Sequence, residues 1–257
     1  SLPESWHFQG AADCRLNRVE SCVAMLEKAS ALASQGSRPW IRLYYAYVML
    51  QLGYLDIGEA VHREVLASDP INPDRSFGLG RTLDTQGRHD EAFAYFNAAD
   101  PFHAYGRWFN AVWRKDFATA LHIAQESIGS EPVRNSAGVL LKPSYIAVSQ
   151  ALVDPNRWPQ AIAEIEKSER DRGLWNFTRV LTPDASRSAG TFIGNIQEMR
   201  KRAYSSWDLL LWTKDLVWLR KDPAFQTYLR ESGILDYWRK HGFPAQCRAE
   251  GDGAICD

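Results

Sequence analysis

Several things are scarce in this sequence, and each scarcity narrows what the chain can be. Excess charge of one sign is missing: 30 Lys and Arg face 31 Asp and Glu, a formal net charge of -1 at pH 7. No global field therefore draws the chain to nucleic acid or anionic lipid, and direct DNA binding by this chain is not expected. Long apolar runs are missing as well. The longest uncharged stretch, Leu43 to Leu55, falls short of the ~20 residues a membrane helix needs and contains Gln51, Gly53 and tyrosines. The opening Ser1-Leu2-Pro3-Glu4-Ser5 has no basic head followed by an apolar stretch, so any export signal or membrane anchor is expected to lie outside this chain. Signatures of chemistry are equally thin. There is no G-x-S-x-G elbow and no phosphate loop, and Gly78-Leu79-Gly80 lacks a third glycine. The histidines, His7, His62, His89, His103, His122 and His241, are dispersed without a helical i, i+4 partner, so neither a metal site nor a cofactor is expected and the chain reads as a non-enzyme. Asn176-Phe177-Thr178 matches a glycosylation acceptor, and Arg200-Lys201-Arg202 is read as a solvated helix face.

Cysteine is also sparse. The four present, Cys14, Cys22, Cys247 and Cys256, form two near pairs at opposite ends of the chain. Between Cys247 and Cys256 lie two glycines and no helical periodicity, so a local disulfide is expected there. Along one continuous helix Cys14 and Cys22 would stand about 12 Å apart, beyond the reach of a disulfide. They pair only if Cys14 sits in a turn before the helix. Zinc is disfavoured because no C-x-x-C spacing occurs, and free thiols in a cytoplasmic protein remain the alternative. The working expectation is an oxidising compartment.

What the sequence has is helical periodicity that repeats. With 257 residues, 45% of them hydrophobic, a globular protein of one large or two modest domains is expected. The clearest unit runs from Phe77 to Pro101, with Leu79, Gly80 and Leu83 on a first helix, Gly87 in the turn, and Ala92, Phe96 and Ala99 on a second. It resembles a tetratricopeptide repeat, a pair of antiparallel helices in ~34 residues. Trp40 to Pro70 repeats the scheme, with Gly53 in the turn and Gly58 where alanine is usual. Trp108 through Ala120, Ala124 and Ser127 suggests a third copy, and Tyr145 to Ser149 with Ala161 and Ile165 a fourth. Val19, Val23, Leu26 and Ala29 mark a helix packing on the array. The expected order is an N-terminal helix in 1–38, repeats in 39–172, an irregular connection in 173–205 with helix resuming at Ile196, Met199 and Ala203, and a C-terminal helical cap in 206–257. Strand-like alternation is absent, so the class expected is all-α, a helical-repeat solenoid of about four pairs.

Leu219 to Cys247 is the most specific string. Its Asp222-Pro223-x-Phe225, Leu229, Gly233, Tyr237-Trp238, Gly242 and Pro244, followed by the Cys247/Cys256 pair, resemble the closing unit of tetratricopeptide domains in bacterial membrane-bound winged-helix regulators, the CadC-like group. Similar tails close the repeat domains of some bacterial adenylate cyclases. The resemblance covers most of residues 40–257. It implies a periplasmic sensing or assembly domain attached through a membrane anchor outside this chain; a free-standing cytoplasmic adaptor and a cyclase regulatory domain are the alternatives. The tail's Asp-Pro pair predicts a helix start at 222–223, and Phe225, Leu229, Tyr237 and Trp238 are expected to cover the open end of the stack.

Stacked helix pairs line a concave surface with their first helices. Repeat positions place Trp40, Tyr44 and Tyr47 there from the first unit, and Phe77, Arg81 and Asp84 from the second. Such aromatics beside a cation suit a protein segment or extended peptide, with self-association possible. The competing expectation is that these rings pack against the Val19–Leu26 helix. Chaperone-tail adaptors of the repeat family resemble one another in a Lys and Asn clamp; the corresponding positions here hold Leu43, Tyr47, Phe77 and Arg81, so that ligand class is not expected.

Overall fold

The computed structural model describes residues 2–33, 38–96, 103–128, 136–172, 176–185, 189–202 and 206–257. The chain divides into two compact units, residues 1–87 with 189–257 and residues 88–188. The first 87 residues supply α1 (Pro3–Arg15), α2 (Val19–Ala33), α3 (Pro39–Gln51), α4 (Leu55–Ser68) and α5 (Pro73–Thr85). The second unit holds α6 (His89–Phe93), α7 (Ala104–Trp113), α8 (Phe117–Glu126), α9 (Ser136–Val153) and α10 (Trp158–Arg172). The C-terminal part of the first unit adds α11 (Ala189–Arg202), α12 (Val217–Arg220), α13 (Pro223–Glu231), α14 (Ile234–His241), and strands β1 (Cys247–Glu250) and β2 (Gly253–Cys256). Short 3-10 segments include Phe177–Leu181 and Ser206–Trp212. The class is all-α, with one departure from the expected absence of strands: β1 and β2 pair antiparallel, Cys247 opposite Cys256 and Glu250 opposite Gly253. Four-residue strands are too short to leave an alternating pattern in sequence.

The N-terminal helix is in fact a pair. α1 was not legible because its buried face is Pro3, His7, Gly10 and Asp13, without an apolar stripe. Its packing on α2 depends on a missing side chain: a Cβ on Gly10 would lie 2.8 Å from Leu26 Cγ. The chain reverses between the two helices with Asn17 at φ 56°. Arg18 N–H bonds the Asp13 carbonyl at 2.9 Å, and Ser21 Oγ donates to Asp13 Oδ2 at 2.6 Å. That reversal closes the Cys14–Cys22 disulfide with Cα atoms 4.9 Å apart. Cys14 thus satisfies the geometric condition from the last turn of a helix, not from a turn ahead of one.

α3 and α4 form the next pair, and α5 packs on α4. A Cβ on Gly58 would fall 2.4 Å from the Leu50 side chain, so glycine stands where alanine was usual because Leu50 fills the space. Asn72 caps α5 by accepting from Asp74 N–H at 3.0 Å. Gly87, at φ 77°, follows it as expected of a helix-stopping glycine.

The C-terminal part starts as expected, Asp222 Oδ1 accepting from Ala224 N–H at 2.8 Å ahead of Pro223. Helix begins earlier than Ile196, however: Gly190 and Gly194 lie inside α11, whose buried Ala189, Phe192, Ile193 and Ile196 supply the apolar face. α11 packs on α13 and α14 on α2. Phe225, Leu229 and Trp238 are fully buried, while Tyr237 is half-buried against Tyr54. The cap belongs to the same compact unit as α1–α5, although it follows all the helix pairs in sequence. The last carbonyls of a helix have no partner within it. Two indoles supply one here: Trp212 Nε1 donates to the Gln51 carbonyl and Trp238 Nε1 to the Leu52 carbonyl, each at 2.9 Å. Gln226 Nε2 and Oε1 bond the carbonyl and N–H of Ala254 at 2.7 and 3.1 Å, tying the disulfide-closed hairpin to α13.

In the second unit α7 packs on α8, α8 on α9 and α9 on α10. Trp108 is fully buried, its Nε1 donating to Ser149 Oγ at 2.9 Å and its ring meeting Tyr145 edge-on at 4.6 Å. The second helix of the clearest expected repeat is short. α6 stops at Phe93, and Tyr95 and Phe96 continue in tight turns bonded to Ala92 and Phe93; Ala99 and Pro101 lie outside the described residues, as does Ala203, and so do the side chains of Met199 and Arg200–Arg202. Asn176 is 1% exposed and caps the Phe177 segment, accepting from Thr178 N–H at 3.1 Å. Its Oδ1 is spent on that turn and its Nδ2 donates to Ser168 Oγ at 3.3 Å, so the amide is not presented as a glycan acceptor.

Candidate functional site

Trp40, Tyr44 and Tyr47 fall on one face of α3, and Phe77, Arg81 and Asp84 on one face of α5, each at i, i+4, i+7. The structure gathers them into two clusters within the first unit. Around the start of α3, Trp40 is 42% exposed and meets His7 edge-on at 4.7 Å, with Phe8, 66% exposed, 6.4 Å away. Tyr44 is half-buried, its ring 4.6 Å from His7. Burial pushes its hydroxyl above the usual tyrosine range, opposed by the nearby Arg15. The Trp40 and Tyr44 rings thus meet His7 of α1. Glu4 and Arg38 form an ion pair beside them.

The second cluster surrounds His62, a fully buried side chain on α4. Tyr47 meets its imidazole edge-on at 5.2 Å. A Cβ on Gly78 would approach the imidazole to 2.6 Å, so α5 presents bare backbone to the histidine. Burial lowers His62 to about 4, only partly opposed by the Gly78 backbone, leaving a neutral ring at ordinary pH. Burial likewise pushes Tyr47 up to about 12; Arg81 opposes it, Asp74 adds to it and Arg75 opposes it. Phe77 and Arg81 are half-buried, whereas Asp84 is 3% exposed and inside the fold. Arg75 pairs with Asp69 at 3.6 Å.

The arrangement supplies aromatic faces beside guanidinium groups at intermediate exposure, suited to contact with a protein segment. Among the described residues no group of three or more His, Cys, Asp and Glu side chains could hold a metal ion, and no helix is long and apolar enough to cross a membrane. Sequence reasoning missed His7, Phe8 and Arg15 on α1, and His62 on α4. Pro3 followed by Glu4 was the one signal of a helix start ahead of Phe8. Comparison with models of protein families, with curated proteins and with solved structures finds no match to this chain.

Proposed function

We propose that the chain is a non-enzymatic protein-interaction module of tetratricopeptide-like helix pairs, serving as the sensing part of a membrane-bound bacterial regulator in the periplasm. The observation that carries the interaction reading is the face of α1 and α3 where Phe8 and Trp40 remain 66% and 42% exposed beside Tyr44 and Arg15. Two large rings exposed side by side form an apolar patch of the kind that interaction surfaces present. Support for the repeat reading comes from α3 on α4, α7 on α8 and α9 on α10, each a pair at the expected place in sequence. The Cys14–Cys22 and Cys247–Cys256 disulfides are compatible with an oxidising compartment. The regulator setting rests on the resemblance of the Asp222–Cys256 tail.

Photo-crosslinking in the host cell tests the interaction. A benzophenone side chain at Phe8 should yield one dominant protein adduct that is absent when the same group stands at Lys167, an exposed position of α10 in the other unit. Identical adduct patterns at both positions would sink the reading.

A further inference from the structure

We propose that the cleft between the α12–α13 wall and the β1–β2 hairpin binds a small zwitterion of the free amino acid or dipeptide kind, its carboxylate against the helical wall and its ammonium against the hairpin. The cleft has a volume of about 530 Å³, within the range of small-molecule sites. Its charges are segregated. Arg220, Lys221 and Arg230 line it from the helical side and Glu250 and Asp252 from the hairpin side, with Asp257, paired with Arg248 at 2.9 Å, at the end of the chain. Among the described residues Lys221, Arg230 and Glu250 form no ion pair within 4.0 Å.

Gln226 explains why the walls stay apart. Its amide spans the gap and bonds both backbone groups of Ala254 at 2.7 and 3.1 Å, so the hairpin is held at the length of a glutamine side chain from α13. The same two bonds occupy the outward backbone groups of Ala254 in β2, which makes a compact ligand a better fit than an added peptide strand. Beneath lies Arg220, 4% exposed. Its Nη1 donates to the Leu211 and Thr213 carbonyls at 2.7 and 3.2 Å, while its Nε has no partner. Burial pulls its guanidinium down to about 10, with Asp257 opposing. That buried donor without a partner adds to the positive side formed by Lys221 and Arg230, which favours a carboxylate there. A simple anion would leave Glu250 and Asp252 unanswered and a simple cation would leave the arginines so; a ligand carrying both charges answers both walls.

Thermal denaturation and amide chemical-shift titration of the disulfide-intact chain test this. The probes are each proteinogenic L-amino acid and L-alanyl-L-alanine at millimolar concentration, with sodium acetate and ethylamine at matched ionic strength. At least one zwitterion should raise the melting temperature and shift the Ala254 and Ile255 amides saturably. The amino acids against alanylalanine separate the two sources of that chemistry. Arg230→Ala and Glu250→Ala, both at exposed side chains, should each weaken that binding by about tenfold or more without changing the unliganded melting temperature. The proposal is overturned if no zwitterion binds, if acetate or ethylamine binds as tightly as the best zwitterion, or if both variants bind like the unmodified chain.

Discussion

Replacing Trp238 by alanine should cost the first unit much of its stability. The side chain has no measurable exposure, and its ring packs 5.8 Å from that of Trp212 and 5.6 Å from that of Phe243. Truncating a buried tryptophan costs about 3–5 kcal/mol through lost burial and the cavity left behind. The indole also satisfies the Leu52 carbonyl at the end of α3, and an orphaned buried carbonyl adds about 1–3 kcal/mol. The sum for Trp238→Ala is then about 4–8 kcal/mol, comparable with the whole stability of a small domain at ~5–15 kcal/mol. Trp238→Phe keeps most of the apolar area and loses the donor, so its cost should be about 1–2 kcal/mol. Urea unfolding followed by far-ultraviolet circular dichroism reads both. A loss below about 1 kcal/mol for Trp238→Ala would refute the claim that this ring seals the end of α3.

Reducing or removing the Cys247–Cys256 bond, which closes a loop with a sequence separation of 9, should lower stability by about 2–3 kcal/mol in the chain-entropy picture; peptide mapping of unreduced protein should recover both linked pairs. His62 predicts a pH dependence of definite sign. Its folded value is lowered to about 4 from 6.5, so the unfolded chain binds the proton first, and the stability held above pH 6.5 drains away as pH falls toward 4. Between pH 7.5 and 5 the loss is about 2 kcal/mol. His62→Leu should flatten that part of the urea-midpoint profile, and an unchanged slope would contradict the burial argument. Two glycine replacements should move melting temperature in opposite directions. Gly10→Ala drives a methyl group against Leu26 and should cost about 1–3 kcal/mol, whereas Gly194→Ala, with nothing within 4 Å, should gain up to about 1 kcal/mol.

The parts of the fold legible in sequence were those with a local chemical signature. Asp222-Pro223 marks a helix start because carboxylate and ring each suit one position there, and both do so in the structure. Val19, Val23, Leu26 and Ala29 marked α2 because they form a buried stripe on a helix packed against α1, α3 and α14. α1 itself stayed hidden, since it contributes a glycine, a histidine and an aspartate to the contact. The extent of α11 was misread because Gly190 and Gly194 look like breakers, although its buried Phe192 and Ile193 hold the helix. The candidate site was half visible. Spacing alone put Trp40, Tyr44 and Tyr47 on one face, but that Tyr47 turns to a buried His62 while Trp40 remains beside an exposed Phe8 depends on tertiary packing. Asp84 sits at the right period and inside the fold.

The most direct test of the central claim, that the α1–α3 face receives a partner, combines two readings on the same variants. Trp40→Ala and Arg15→Ala are introduced into the chain carrying the benzophenone at position 8, and adduct yield in cells is compared with the urea midpoint of each purified protein. The account predicts an adduct yield reduced by roughly tenfold, corresponding to about 1–3 kcal/mol of contact energy, with the midpoint nearly unchanged. Undiminished adduct, or variants that lose the partner only because they unfold, would contradict it and return these side chains to the core.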